Sequence, residues 1–123
     1  MTYLSSPKIS TVLKWTGIEA KRLKSRERTI PLPFARYLVI DFLLAVGYSD
    51  TKACGAVGRD RSMYRHAQIT LAIIQQNMRA QEEVVFNRFR KNLDKWLDET
   101  SDEIFLISTE TINEVQNNGI TSR

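Results

Sequence analysis

The sequence has few of the residue types that build disulfides, metal centres or catalytic sites. Its 123 residues include one cysteine, Cys54, and one histidine, His66. A single cysteine excludes an internal disulfide and is typical of a reducing compartment, and these two residues are too few for a zinc site. The acid pairs Glu82-Glu83 and Asp98-Glu99 have no metal-binding residues nearby in sequence, so we interpret them as solvated charges. We expect no metal, no cofactor and no enzymatic activity.

Long apolar runs are missing too. The longest, Leu38–Val46, is interrupted by Asp41 and is far shorter than the ~20 residues that span a membrane. Met1–Pro7 lacks the apolar core of a signal peptide. We therefore expect a cytoplasmic protein that makes no membrane contact.

Charge is unevenly distributed along the chain. Residues 1–79 carry 13 Lys and Arg against 5 Asp and Glu, a balance of +8, whereas residues 80–123 carry 5 against 9, a balance of −4. This pattern fits a polyanion partner, although a solvated basic face explains the charge equally well. Basic residues concentrate just before Thr29–Pro33, whose two prolines predict extended backbone. Such a basic loop can reach phosphates or a narrow minor groove; its members are Lys21, Arg22, Lys24, Arg26 and Arg28.

Helical segments surround one buried helix. Ile9–Thr16 and Ile18–Leu23 predict two short helices. Phe34–Val46 is apolar nearly all round, which is typical of a helix in the middle of a domain, and we expect Arg36 and Asp41 at its edges. We interpret this segment as the central core helix.

A short helix, a tight turn and a longer helix follow. The pattern predicts helices over Thr51–Ala56 and Arg61–Met78, with Gly58 supplying the backbone freedom of the turn and Asp60 capping the second helix. This arrangement on a buried third helix is a helix-turn-helix. The buried stripe of the longer helix recurs every three or four residues: Tyr64, Ala67, Leu71, Ile74 and Met78.

The opposite face of that helix begins with Arg61, Ser62 and Arg65, residue types that suit a recognition helix in the DNA major groove. Ile69 and Ile73 continue this face and should be covered. The candidate cover is an amphipathic helix over Glu82–Glu99, folded back on the distal half of the recognition helix.

The alternative is that the isoleucines of the recognition helix, the apolar stripe of the Glu82–Glu99 helix, or both form a dimer interface. The protein is therefore expected to be a monomer or a homodimer.

Beyond Thr100, the apolar patch Ile104–Ile107 could form a small strand, a helical turn or a partner-binding segment. We expect Asn117–Arg123 to be disordered. Trp15 and Trp96 are expected to anchor the core or an interface.

Gly58–Ala67, with the sequence Gly-Arg-Asp-Arg-Ser-Met-Tyr-Arg-His-Ala, resembles the signature of the C-terminal DNA-binding domain (domain IV) of the bacterial replication initiator DnaA. Val12–Thr29 is similar to the family's first helices and basic loop, and Ala35–Ala45 to its central helix. With Val85–Asn87 further on, the chain most resembles small stand-alone DnaA-like proteins of alphaproteobacteria. The likeness covers roughly Ile9–Met78.

The resemblance implies an all-α, Trp-repressor-like helix-turn-helix bundle, here with an added C-terminal amphipathic helix. It also implies that the recognition helix reads the major groove, while Arg28, or less readily Arg26, enters the minor groove. Arg61 and Met63 replace the family's usual histidine and threonine, so the target sequence can differ from the family's. Val57 stands where the family often has glycine, so the turn can differ too. The major-groove set is Arg59, Asp60, Arg61, Ser62, Arg65 and His66.

The chain has no Gly-x-x-x-x-Gly-Lys-Ser/Thr loop and no room for an AAA+ ATPase domain. We divide it into a DNA-binding domain at 9–79, an amphipathic helix at 80–99 and an acidic, polar tail at 100–123. The leading hypothesis is a nucleoid-associated, sequence-specific binder of double-stranded DNA that acts in transcription regulation or replication control. The alternative is an adaptor that recruits a protein partner through its C-terminal helix and tail and binds DNA weakly. A small nuclease is disfavoured because no acid cluster adjoins the basic face.

Overall fold

The computed structural model describes the backbone of residues 6–117 and the side chains of residues 6–100. Within this range every regular element is a helix and no strand is present. The expectation of an all-α protein is therefore confirmed. The helices are α1 (Ile9–Trp15), α2 (Ala20–Leu23), α3 (Leu32–Ala45), α4 (Asp50–Gly55), α5 (Met63–Gln75) and α6 (Ala80–Asn117).

Helix α3 is the centre of the fold, as its apolar sequence predicts. It contacts all five other helices, and Phe34, Ile40 and Leu43 are fully buried on it. A helix surrounded in this way exposes little of its surface to solvent, which is why its apolar residues show so little periodicity.

The boundaries of α3 follow from proline and glycine. The extended backbone expected through Thr29–Pro33 is wrong in its second half, because the helix already begins at Leu32. Pro33 sits in the first turn, where a residue without an amide proton loses no helical hydrogen bond. At the other end Gly47 has a φ of 106°. There the Tyr48 amide donates to the Leu43 carbonyl at 2.9 Å, which closes the helix end.

Helices α4 and α5 are joined by a tight turn. Ser49 caps α4, since its hydroxyl oxygen accepts a hydrogen bond from the Lys52 amide at 3.2 Å. Gly58 has a φ of 69°, as a left-handed turn position requires. Helix α5 begins at Met63, two residues later than predicted, because residues 61–62 form a tighter turn before the regular helix.

Helix α6 packs against α1 and α3, and within the described residues it does not contact α5. The expectation that it covers Ile69 and Ile73 is wrong. Its apolar stripe is rich in aromatic residues and packs against aromatic side chains of α1 and α3. The Trp15 ring lies 5.6 Å from Phe89 and 6.1 Å from Trp96, measured between ring centroids. This cluster confirms the anchoring expected of both tryptophans.

The structure corrects two other expectations for α6, which concern Glu82 and the patch Ile104–Ile107. Glu82 is not a solvated charge: its side chain is buried, and Oε1 accepts the Arg79 amide proton at 2.9 Å, which caps the helix start. The patch Ile104–Ile107 lies inside α6, so it is neither a strand nor an isolated turn. The disorder expected of Asn117–Arg123 falls almost entirely outside the described residues.

Candidate nucleic-acid interface

The face of α5 that points away from α3 is open along its whole length. Arg61, Ser62 and Arg65 are exposed at its start, and Ile69 and Ile73 are 63% and 61% exposed further on. On the opposite side Ala67 and Leu71 are buried, as the predicted stripe requires. Because α6 lies elsewhere, more of this helix is free than the sequence suggested.

Asp60 and Ser62 shape the turn that enters α5. The Asp60 carboxylate accepts hydrogen bonds from the Ser62 hydroxyl at 2.7 Å and from the Ser62 amide at 3.1 Å. These two bonds lower the pKa of Asp60, since hydrogen bonds to a carboxylate favour its charged form. The prediction that Asp60 caps the second helix is wrong: α5 has Ser62 as its N-cap and no side-chain capping bond, and Asp60 stabilises the preceding turn.

The two arginines of the exposed face differ in their surroundings. The Arg61 Nε atom lies 3.8 Å from Oδ2 of Asp50, the first residue of α4. Arg65 lies against its neighbour Tyr64, with its Nε donating to the phenolic oxygen at 3.0 Å, and that hydrogen bond raises the pKa of Arg65. Both side chains are exposed on the surface of the molecule.

The basic loop runs from the end of α2 toward α3. All five of its predicted basic residues are exposed. Arg22 forms a 2.9 Å ion pair with Glu27 across the loop, which holds the pKa of Glu27 below its usual range. Arg22 lies at the end of α2 and is paired with Glu27. The charge that is available to a partner is carried by Lys21, Lys24, Arg26 and Arg28.

Arg36 of α3 holds the end of α2 and the start of the basic loop in place through hydrogen bonds. We expected it at an edge of α3, and this is wrong: the side chain is only 3% exposed. Its guanidinium donates to the carbonyls of Leu23 at 2.7 Å, Ser25 at 3.0 Å and Arg22 at 3.2 Å. Burial lowers its pKa by disfavouring the charged form. A single arginine within an apolar helix is a signal that its charge needs hydrogen-bond acceptors, but this signal does not identify the backbone carbonyls that accept.

Arg59 joins the basic loop to the turn between α4 and α5. Its Nη2 donates to the Ser25 carbonyl at 2.9 Å, and its Nη1 donates to the Val57 carbonyl at 3.1 Å. Next to it, a Cβ atom added to Gly58 would lie 2.9 Å from the Lys24 carbonyl oxygen. The turn therefore needs glycine for close approach to the basic loop as well as for its positive φ.

The basic loop, α3 and α5 enclose a cleft of about 180 Å³. Arg28, Arg36 and Arg59 line it, together with Tyr37 and His66. The Nε2 atom of His66 lies 3.3 Å from the Tyr37 hydroxyl oxygen. Since none of the described residues that line the cleft is acidic, its electrostatic potential suits an anionic group.

Other kinds of site are not found in the described residues. No three of the His, Cys, Asp and Glu side chains there are placed to hold a metal ion. Cys54 is buried in α4, and burial raises the pKa of its thiol. In the same part of the chain, no helix combines the length and hydropathy needed to cross a bilayer.

Comparison with known proteins finds no family model, no curated protein and no solved structure that matches the chain. The resemblance to domain IV of DnaA therefore depends on the motif residues alone.

Proposed function

We propose that the protein binds double-stranded DNA sequence-specifically, with α5 in the major groove and the basic loop on the adjacent backbone or minor groove. The observation that carries this proposal is the open, positively charged outer face of α5 beside the basic loop. Two arginines from separate elements, Arg36 and Arg59, bind the loop's carbonyls and hold it next to α5. A fixed distance between two positive elements is what a duplex with fixed groove spacing requires.

The residues divide into three roles under this proposal. Arg61, Ser62 and Arg65 contact base edges, where a bidentate arginine contributes about 1–3 kcal/mol of discrimination for guanine. Asp60 and Arg59 position the turn and the loop. Phosphates are contacted by His66 at the cleft and by the loop residues Lys21, Lys24, Arg26 and Arg28.

We assign the protein to the DnaA domain IV-like, Trp-repressor-like class on its motif, and to transcription regulation or replication control without ATPase activity. Both assignments follow from the resemblance of Gly58–Ala67 and from the helix-turn-helix on a buried helix. In this class, Arg28 is the candidate for the minor-groove arginine.

Selection of duplexes from a random library at physiological salt tests the proposal. Wild type should enrich a defined motif, and Arg61→Ala should blur it at one or two base pairs because the mutant loses one base contact. Lys91→Gln, an exposed charge change on α6, is the matched control and should return the wild-type motif. Absence of enrichment with wild type, combined with binding that depends only on salt, would contradict the proposal.

The second candidate function is that of a protein-interaction adaptor. It is favoured by an apolar cleft of about 420 Å³ between α3 and α6, lined by Leu38, Phe42, Phe86, Phe89 and Leu93. Failure of wild type to enrich any DNA motif would make this cleft the leading candidate site.

A further inference from the structure

Two isoleucines stand exposed on the face that the proposed function assigns to DNA. Ile69 and Ile73 are 63% and 61% exposed, more than any other large hydrophobic side chain in the described residues. Ile69 follows Arg65 by four residues, so the two side chains are neighbours on one face of the helix. We call Arg65, Ile69 and Ile73 the outer stripe.

The charge around the outer stripe favours a polyanion as its occupant. Residues 61–81 contain no Asp or Glu, so no carboxylate on this helix could pair with the arginines of another copy. Two isoleucines also provide far less area than the ~800 Å² per partner that a stable protein interface buries. A second copy of the chain therefore fits this face less well than duplex DNA does.

Ile69 lies within reach of base edges if α5 occupies the major groove. It follows Arg65 by four residues within α5, which is about 6 Å along a helix at 1.5 Å per residue. That length corresponds to about two base pairs at ~3.4 Å each. Among the four bases, the thymine 5-methyl is the apolar group that the major groove presents to a side chain.

We infer that Ile69 reads thymine through its 5-methyl group, at a base pair about two steps from the one contacted by Arg65. The inference depends on the proposed function, because it needs α5 in the major groove. It adds an apolar specificity contact to a helix whose other base-reading residues are polar.

Deoxyuridine substitution tests this contact, since it removes only the methyl group. In the duplex recovered by selection, each thymine is replaced singly by deoxyuridine and the dissociation constant is measured. For wild type, one substitution should weaken binding about fourfold, the effect of losing one buried methyl-sized group. The same substitution should have no effect on Ile69→Ala. Ile73→Ala, one turn further along, is the matched control and should keep the fourfold loss.

Several results would overturn the inference. Wild type could bind every deoxyuridine-substituted duplex as tightly as the unmodified one, or Ile69→Ala could keep the fourfold loss of affinity. In both cases the selected motif remains, so only this inference fails and the proposed function stands. Sedimentation showing that Ile69→Ala turns a dimer into a monomer would assign the outer stripe to a second copy. Absence of any selected motif would remove the proposed function as well. Ile69→Val, which keeps the branched methyl groups, should preserve the methyl sensitivity, and thermal unfolding checks that each variant folds.

Discussion

Buried charged side chains in this protein hold backbone segments rather than substrates. Arg36 and Glu82 are 3% and 4% exposed, and both bind main-chain groups. A buried charge is tolerated when hydrogen bonds replace its lost hydration. Arg36 meets this condition with three carbonyl acceptors, and in doing so it organises the segment that carries the basic loop.

Replacing Arg36 should therefore cost stability. We expect Arg36→Met to lower the free energy of unfolding by about 1–3 kcal/mol, because the loop's carbonyls lose their buried donor. Urea denaturation measures the change. Arg26→Met, an exposed arginine of the same loop, is the control and should stay within about 0.5 kcal/mol of wild type. Equal effects of the two substitutions would show that Arg36 does not hold the loop.

Among the helices, α6 stabilises the bundle by packing on α1 and α3. The sequence predicts packing on α5 instead. The aromatic residues of α6 meet Trp15 of α1 and Phe42 of α3, with the Phe42 and Phe89 ring centroids 5.8 Å apart. Edge-to-face rings at such distances stabilise beyond the effect of their buried area. Helix α6 thereby completes the core and leaves α5 free.

Removal of the buried Phe89 ring from this cluster should destabilise the fold strongly. Phe89→Ala should lower the free energy of unfolding by about 3–5 kcal/mol, the usual loss for a buried phenylalanine. Calorimetry or urea denaturation measures it. Leu97→Ala, at a position of the same helix that is 43% exposed, should cost much less. The packing described for α6 would be contradicted if Phe89→Ala were as mild as Leu97→Ala.

For the whole molecule, the separation of charge predicts which residues would set the salt dependence of DNA binding under the proposed function. Positive charge lies on the basic loop and α5, whereas the basic residues of α6 lie among acidic neighbours. Each phosphate contact contributes about 0.9 to the slope of log K against log salt concentration, because binding releases condensed counterions.

Paired charge removals should separate the two regions. Lys24→Gln with Arg26→Gln should reduce the salt slope by up to about 1.8 if both side chains contact phosphates. Lys91→Gln with Lys95→Gln removes the same charge from exposed positions of α6 and should leave the slope unchanged. Fluorescence anisotropy at several salt concentrations measures both. A similar decrease for the two double variants would indicate a general effect of net charge.

The helical class, the buried central helix and the turn at Gly58 could be predicted from the amino-acid sequence alone. These features are local, because periodicity and backbone freedom act within a few residues of chain. The exposure of Arg61 and Arg65 could be predicted for the same reason.

The contacts of α6 and of the basic loop could not be predicted from the sequence, because they depend on how the helices pack in three dimensions. The apolar stripe of α6 shows that the helix needs a partner, but it does not distinguish α5 from the aromatic surface of α1 and α3. The roles of Arg36 and Arg59 were equally hidden, since they bind carbonyls of the basic loop that lie 11 or more residues away in the chain. A backbone carbonyl has the same chemistry in every residue, so no sequence pattern names it as an acceptor.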